Sequence, residues 1–258
     1  MAVEENLHLP PESSVAEAVI VDRAFIAGGR SVAAGNAVKW LVAGWGLFRP
    51  QPFIWILLTI VFGLIVIGLS VIPFVGQIAL VLVGPVFVGG LMIGCRKVER
   101  GEELELADLF AGFRRSTGSL ITIALIGFAL LVAVVIVVML LTGASALFAN
   151  FSGADPAMLM TSGTLLIFLL IMALTIPINM ALWFAPALVL FQDLPPTAAI
   201  VQSFRACLKN IIPFLLYGVL LFVLAFVASI PLGLGWLVLA PVVIGSIYAA
   251  YRDIFLAS

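Results

Sequence analysis

Charge is the scarcest property of this sequence: Asp, Glu, Lys and Arg make up 10% of its 258 residues, whereas apolar side chains make up 64%. Soluble domains carry roughly 25% charged residues, so the deficit excludes that class and reads as an integral membrane protein; the mean hydropathy of +1.30 agrees. The net charge of -1 supplies no basic face to cover phosphates, which excludes nucleic acid as a partner. The only histidine is His8, so neither a catalytic triad nor a histidine metal site is expected. Residues 1–30 lack the basic start and continuous apolar core of a cleavable signal, and are expected to form a cytoplasmic tail with a short helix after Ser13 or Ser14.

What is abundant is apolar sequence in spanning lengths. A helix needs about 20 residues to cross a hydrocarbon core, and such runs occur at about 53–72, 76–95, 118–142, 164–191, 211–230 and 233–251. Proline and glycine in "VIPFVGQ" and "SIPLGLG" divide two apolar stretches too long for one tilted helix, so each is expected to be a hairpin. All twelve Lys and Arg fall before the first run, between the second and third, between the fourth and fifth, or after the sixth. The positive-inside rule therefore predicts six spans with both termini in the cytoplasm.

Three shorter segments precede the hairpins. In "LELADLFAGFRR", Leu106, Leu109, Phe110 and Phe113 recur at i, i+3, i+4 and i+7, one helical face. "VKWLVAGWGLF" does the same with Val38, Leu41, Val42, Trp45 and Phe48, and "TAAIVQSFRACLKN" with Ile200, Val201, Phe204 and Leu208. Each is expected to be an amphipathic helix at the headgroup boundary, the alternative being a face turned to the bundle. Lys39, Arg49, Arg114, Arg115, Arg205 and Lys209 are then the candidate contacts to anionic lipid headgroups.

A gapless shift of 156 residues superposes Phe48 and Arg49 on Phe204 and Arg205, Pro85 on Pro241, Gly89 on Gly245 and Arg96 on Arg252. Phe113, Arg114 and Pro186 extend the pattern to a middle unit carrying about 36 extra residues, including the outer loop "TGASALFANFSGADPAMLMTSG". The fold expectation is thus an all-α polytopic bundle: six transmembrane helices in three hairpins, each introduced by an interfacial helix, with a three-fold internal repeat. Residues 1–30 form the tail and 31–258 the transmembrane domain, with units at 31–100, 101–193 and 194–258. Pro85, Pro186 and Pro241 are expected to kink the second helix of each hairpin, around a central space or for packing. Gly90 and Gly94, with their counterparts Ser246 and Ala250, predict close helix contacts.

Reactive chemistry is sparse. No acid, base or histidine lies inside a predicted span, which argues against coupled proton transport. Asn179 is the most polar group within a span and is expected to bond to a neighbouring helix or line the central space. The acids of "ERGEELELAD" read as a helix start with Arg114 and Arg115 at its far end. Cys95 and Cys207 fall on the side where thiols stay reduced, as small apolar fillers or as sites of acylation or redox sensing.

With "GNAVKWLVAGWGLFRPQPFIW", "LADLFAGFRR" and "SFRACLKNIIPF" spread over six spans, residues 30–255 resemble an uncharacterised proteobacterial inner-membrane protein family. That family is more distantly similar to the membrane domain attached to some glycerophosphodiester phosphodiesterases. The resemblance implies the six-span topology and brings no catalytic residue, because the phosphodiesterase machinery belongs to a separate soluble domain. The expected role is a non-catalytic scaffold or lipid-interacting module without a cofactor, its partners being membrane lipids and a membrane protein or further copies of the chain. The alternative is an uncoupled carrier or channel for an apolar or lipid-like molecule.

Overall fold

The computed structural model describes residues 24–152 and 156–257, and the side chains of these apart from 144–164. His8 and the short helix expected after Ser13 or Ser14 lie outside the described residues. Among them the chain is helical: α1 (Asn36–Phe48), α2 (Pro52–Ser70), α3 (Val75–Glu99), a 3-10 helix (Leu106–Phe113), α4 (Thr117–Ser152), α5 (Pro156–Trp183), α6 (Ala185–Gln192), α7 (Pro196–Lys209), α8 (Ile211–Ser229) and α9 (Trp236–Phe255). Six helical stretches are long and apolar enough to cross a membrane: Pro52–Ser70, Val75–Glu99, Thr117–Gly143, Leu165–Gln192, Ile211–Ser229 and Trp236–Phe255. They coincide with the six predicted runs except at two ends. There α3 and α9 continue about one turn further and take in Arg96, Lys97, Glu99, Arg252 and Asp253, which the predicted spans excluded.

The packing order is cyclic. The second helix of each hairpin takes as its main partner the short helix of the following unit: α3 the 3-10 helix, α5 and α6 together α7, and α9 the first short helix α1. The last contact joins the two ends of the sequence and closes a ring of three units. First helices of the hairpins lie outside it; in α2 only Trp55 and Leu58 are buried, against ten residues of α3.

Small residues make these contacts possible. A Cβ at Gly44 of α1 would overlap the Val242 carbonyl oxygen and meet the Ser246 nitrogen, both in α9; a Cβ at Gly112 would overlap the Val86 carbonyl oxygen and meet the Gly90 nitrogen, both in α3. Val86 and Gly90 are the residues that the 156-residue shift places on Val242 and Ser246. Two units therefore dock on equivalent backbone atoms. In the middle unit the receiving groups are polar: Ser203 of α7 accepts from the Phe184 N–H at 3.0 Å and donates to the Met180 carbonyl at 2.7 Å.

Buried positions of α1 are Ala37, Trp40, Gly44 and Phe48, and those of α7 are Ala199, Ser203, Ala206 and Cys207. Most of each predicted apolar face points outward, in keeping with an interfacial helix rather than a face turned to the bundle: Val38, Val42, Trp45, Val201 and Leu208 are exposed, whereas Phe48 is buried. Against lipid a large apolar side chain gains nothing by turning inward, and small residues are what permit close helix approach. The middle short segment is a 3-10 helix, whose 3.0 residues per turn put i and i+3 on one edge. Leu109 and Gly112 are accordingly buried against α3, whereas Phe110 and Phe113 flank Phe87 at ring distances of 5.8 and 5.2 Å. Of the segment expected as an outer loop, the described residues 142–152 and 156–163 are helical; α4 has 36 residues, and at 1.5 Å each its length of about 54 Å exceeds a bilayer core.

If glycine contacts set the ring, Gly44→Val and Gly112→Val should each destabilise the detergent-solubilised protein by about 1–3 kcal/mol. Gly46→Val, where nothing lies within 4 Å, should leave thermal unfolding unchanged.

Candidate functional site

The four positions proposed for a central space do not converge on one. Pro85 and Pro241 lie inside continuous helices, while Pro186 follows a break at Phe184 and stands in the first turn of α6, where its missing N–H costs no helical bond. The surroundings of these prolines are filled: Val86, Ala187, Leu188 and Val242 are buried, and a Cβ at Gly89 would press on Leu190 and Leu120. Asn179 is exposed, and its amide donates to the Thr175 carbonyl of its own helix at 2.9 Å instead of reaching across to another. The intramembrane hydroxyls do likewise, Thr59 to Trp55, Thr122 to Gly118 and Thr175 to Ile171.

Polar chemistry gathers instead where α3, α6 and α9 end together. Arg252 forms an ion pair with Glu99, whose other oxygen accepts from the Tyr248 hydroxyl at 2.8 Å. Gln192, at the end of α6, donates to the Tyr251 hydroxyl at 2.8 Å. The Arg96 guanidinium lies 4.7 Å above the Phe191 ring, a cation–π distance. Phe191 in turn contacts the rings of Tyr248 and Tyr251 at 5.8 and 5.5 Å. Each extra turn of α3 and α9 thus brings its charges to a partner, which is how they sit at the end of an apolar helix.

A second cluster surrounds Asp253. Its carboxylate accepts from Arg30 at 2.8 Å, Asn36 at 2.7 Å and the Trp40 indole at 2.9 Å. Residues 24–30 run beside the end of α9: the N–H of Ile26 and that of Arg30 donate to the carbonyls of Phe255 and Ile254, and Gly28 and Gly29 supply the turn with φ of 73° and 65°. Buried Asn210 fastens the same strip, accepting from the Val32 N–H and donating to the Arg30 carbonyl. A third carboxylate, Asp108, accepts from Lys97 at 3.0 Å and from the Glu105 N–H at 2.8 Å, the helix-start role expected of this acidic stretch.

Two cavities border α1. One of about 310 Å³ is lined by Arg30, Asn36, Lys39, Trp40, Ala43, Ala249, Arg252, Asp253 and Leu256. The other, of about 570 Å³ on the opposite side of α1, is an apolar groove against α8 and α9 that includes Val38, Val42, Trp45, Leu224 and Val238. The candidate headgroup residues Lys39, Arg49, Arg114, Arg115, Arg205 and Lys209 are all exposed, and Lys209 also donates to the Gly29 carbonyl at 2.9 Å. Arg49, Arg114 and Arg205 each directly follow the last phenylalanine of their unit's short helix, or stand one residue after its counterpart in the repeat.

Sequence reasoning passed over Tyr248, Tyr251, Asp253 and Asn210, and read Glu99 as a helix-start acid, whereas it stands at the end of α3 and pairs with Arg252. A signal existed for the first three: "YAAYRD" closes the last apolar run, and Arg252 there repeats Arg96. Both cysteines are buried, and burial pushes the Cys207 thiol up to about 12 despite its hydrogen bond with Ser203. Among the described residues no group of three His, Cys, Asp or Glu side chains is placed to hold a metal ion.

Over 202 residues, 75% of either chain, the sequence is 31% identical to a protein of Burkholderia thailandensis named as a probable inner membrane protein. No protein-family model matches the chain, and no solved structure does.

Asp253→Ala leaves three donors without their acceptor and should cost about 2 kcal/mol of stability. Glu102→Ala, which removes only the exposed pair with Arg100 at 3.9 Å, should change unfolding by less than about 0.5 kcal/mol. A maleimide at pH 7.5 should leave Cys95 and Cys207 unmodified in the folded protein and label both after denaturation.

Proposed function

The chain belongs to the family of the Burkholderia inner membrane protein, and on that premise we propose that it is a non-catalytic module that binds anionic lipids through its basic face. The carrying observation is the repeated placement of one arginine. Arg49, Arg114 and Arg205 each follow the last phenylalanine of three short helices in a ring, the first two just past the helix end and Arg205 within the last turns of α7, and all three are exposed. Lys39, Arg115 and Lys209 add positive charge around them. The large apolar faces of α1 and α7, turned outward beside these cations, suit the boundary between acyl chains and headgroups.

This reading takes the basic face as cytoplasmic, with both termini on that side, following the distribution of Lys and Arg. It assigns no catalytic step; three of the carboxylates at this end, Glu99, Asp108 and Asp253, hold structural partners in Arg252, Lys97 and Arg30. The likeness to the membrane domain of some glycerophosphodiester phosphodiesterases fits a role without chemistry of its own. The carrier alternative draws on the 570 Å³ groove. That groove lies on the flank between α1, α8 and α9 rather than between the three proline helices, so it favours contact with a lipid over passage through the bundle.

Purified protein in neutral detergent should gain thermal stability from phosphatidylglycerol and little from phosphatidylcholine. Each basic residue near an anionic surface contributes about 1 kcal/mol, so the triple variant Arg49→Ala, Arg114→Ala, Arg205→Ala should lose most of the difference. Equal stabilisation by both lipids, or an unchanged response in the triple variant, would contradict the proposal.

A further inference from the structure

Two arginines that the 156-residue shift makes equivalent have different partners. Arg252 pairs with Glu99, whereas Arg96 lies over the Phe191 ring at 4.7 Å and has no carboxylate partner among the described residues. The acid one turn further along its own helix is that same Glu99, whose oxygens are taken by Arg252 and Tyr248. An aromatic face steadies a guanidinium but offers no lone pair to its N–H donors. Arg96 is half-buried in the last turn of an apolar helix, where an unmatched charge is costly.

Further positive charge stands close by. The 3-10 helix packs on α3, and Arg115, in the link between that helix and α4, repels the Arg96 guanidinium, as does Arg100 just past the end of α3. Arg115 is exposed and has no carboxylate partner among the described residues, and Arg100 meets only the exposed Glu102, at 3.9 Å. Tyr251, whose ring contacts Phe191 at 5.5 Å, accepts from Gln192 and keeps its own hydroxyl proton to donate. Donors from all three units of the ring are thus gathered around one aromatic ring at the end of the bundle. Several guanidinium groups and a hydroxyl together match the oxygens of a phosphate, and its charge would relieve their repulsion. We propose that Arg96, Arg115 and the Tyr251 hydroxyl, with Arg100 at the edge, bind one phosphate group, that of a phospholipid headgroup or of free phosphate. The inference rests on the lipid-contact reading above and narrows it to one site where the spans end.

The full chain in neutral detergent is titrated calorimetrically with dihexanoyl phosphatidylglycerol and, separately, with sodium phosphate. One saturable site per chain is expected, at least tenfold weaker in Arg96→Gln and in Arg115→Gln. Because Arg96→Gln removes a repulsion, it should unfold at no lower temperature than the wild type without ligand and gain nothing when either probe is added. Binding of the lipid alone identifies a headgroup site; binding of sodium phosphate with competition between the two identifies a site for the free ion. Both results support the phosphate assignment. Binding of neither probe, or wild-type affinity in Arg115→Gln, would overturn it. So would an Arg96→Gln protein that unfolds at lower temperature yet binds as the wild type does, which would assign Arg96 to packing alone. If the assignment falls while stabilisation by phosphatidylglycerol still depends on Arg49, Arg114 and Arg205, only this site is withdrawn. Loss of that stabilisation as well removes the broader reading.

Discussion

Gly44 of α1 and Gly245 of α9 meet backbone to backbone, a Cβ at Gly245 standing 3.0 Å from the Gly44 Cα. The remainder of the architecture depends on this approach. Between apolar helices surrounded by apolar lipid, no hydrophobic force selects one neighbour over another, so contact must come from shape and from polar pairing. Glycine provides the shape at Gly44 against α9 and at Gly112 against α3. Polar bonds provide it at Ser203 against the break between α5 and α6. Two junctions thus rest on glycine and the third on polar bonds, and the ring closes only when the first short helix reaches the last long one.

Closure also explains where the charges lie. Asp253, at the end of α9, takes hydrogen bonds from Asn36 and Trp40 on α1 and from Arg30 just before it. It ties the two ends of the ring next to the glycine contact. Glu99 and Arg252 then connect α3 to α9, and Gln192 and Phe191 bring in α6 through Tyr248 and Tyr251. One face of the bundle is consequently cross-linked by paired charges and aromatic rings. The basic residues left outside that network, Arg49, Arg114 and Arg205 foremost, are those available to a surface, and the function proposed here follows from that division.

Much of this was legible in the sequence. Apolar run lengths place the six spans, and the 156-residue shift marks Val86 and Gly90 as equivalents of Val242 and Ser246, the atoms on which two short helices dock. Periodicity marked Val38, Val42 and Trp45 as one apolar face, which is exposed, and left unmarked Ala37, Trp40 and Gly44, which pack inside the bundle. An amphipathic pattern reports where water is absent, and in a bilayer lipid satisfies that condition as well as protein does. The partners of Asp253 lie more than two hundred residues away in the chain, and no local pattern could pair them; the ring brings them together.

Proximity of α1 to the end of α9 is the central claim, and cross-linking measures it directly. Ala43 and Ala249 line the same cavity from those two helices. With both replaced by Cys, and with Cys95 and Cys207 replaced by Ala, a short bis-maleimide should join them within one chain in native membranes. Proteolysis at a site engineered into the connection at 193–195 should then leave the two fragments covalently linked. Fragments that separate, with each cysteine singly modified, would contradict the closed ring.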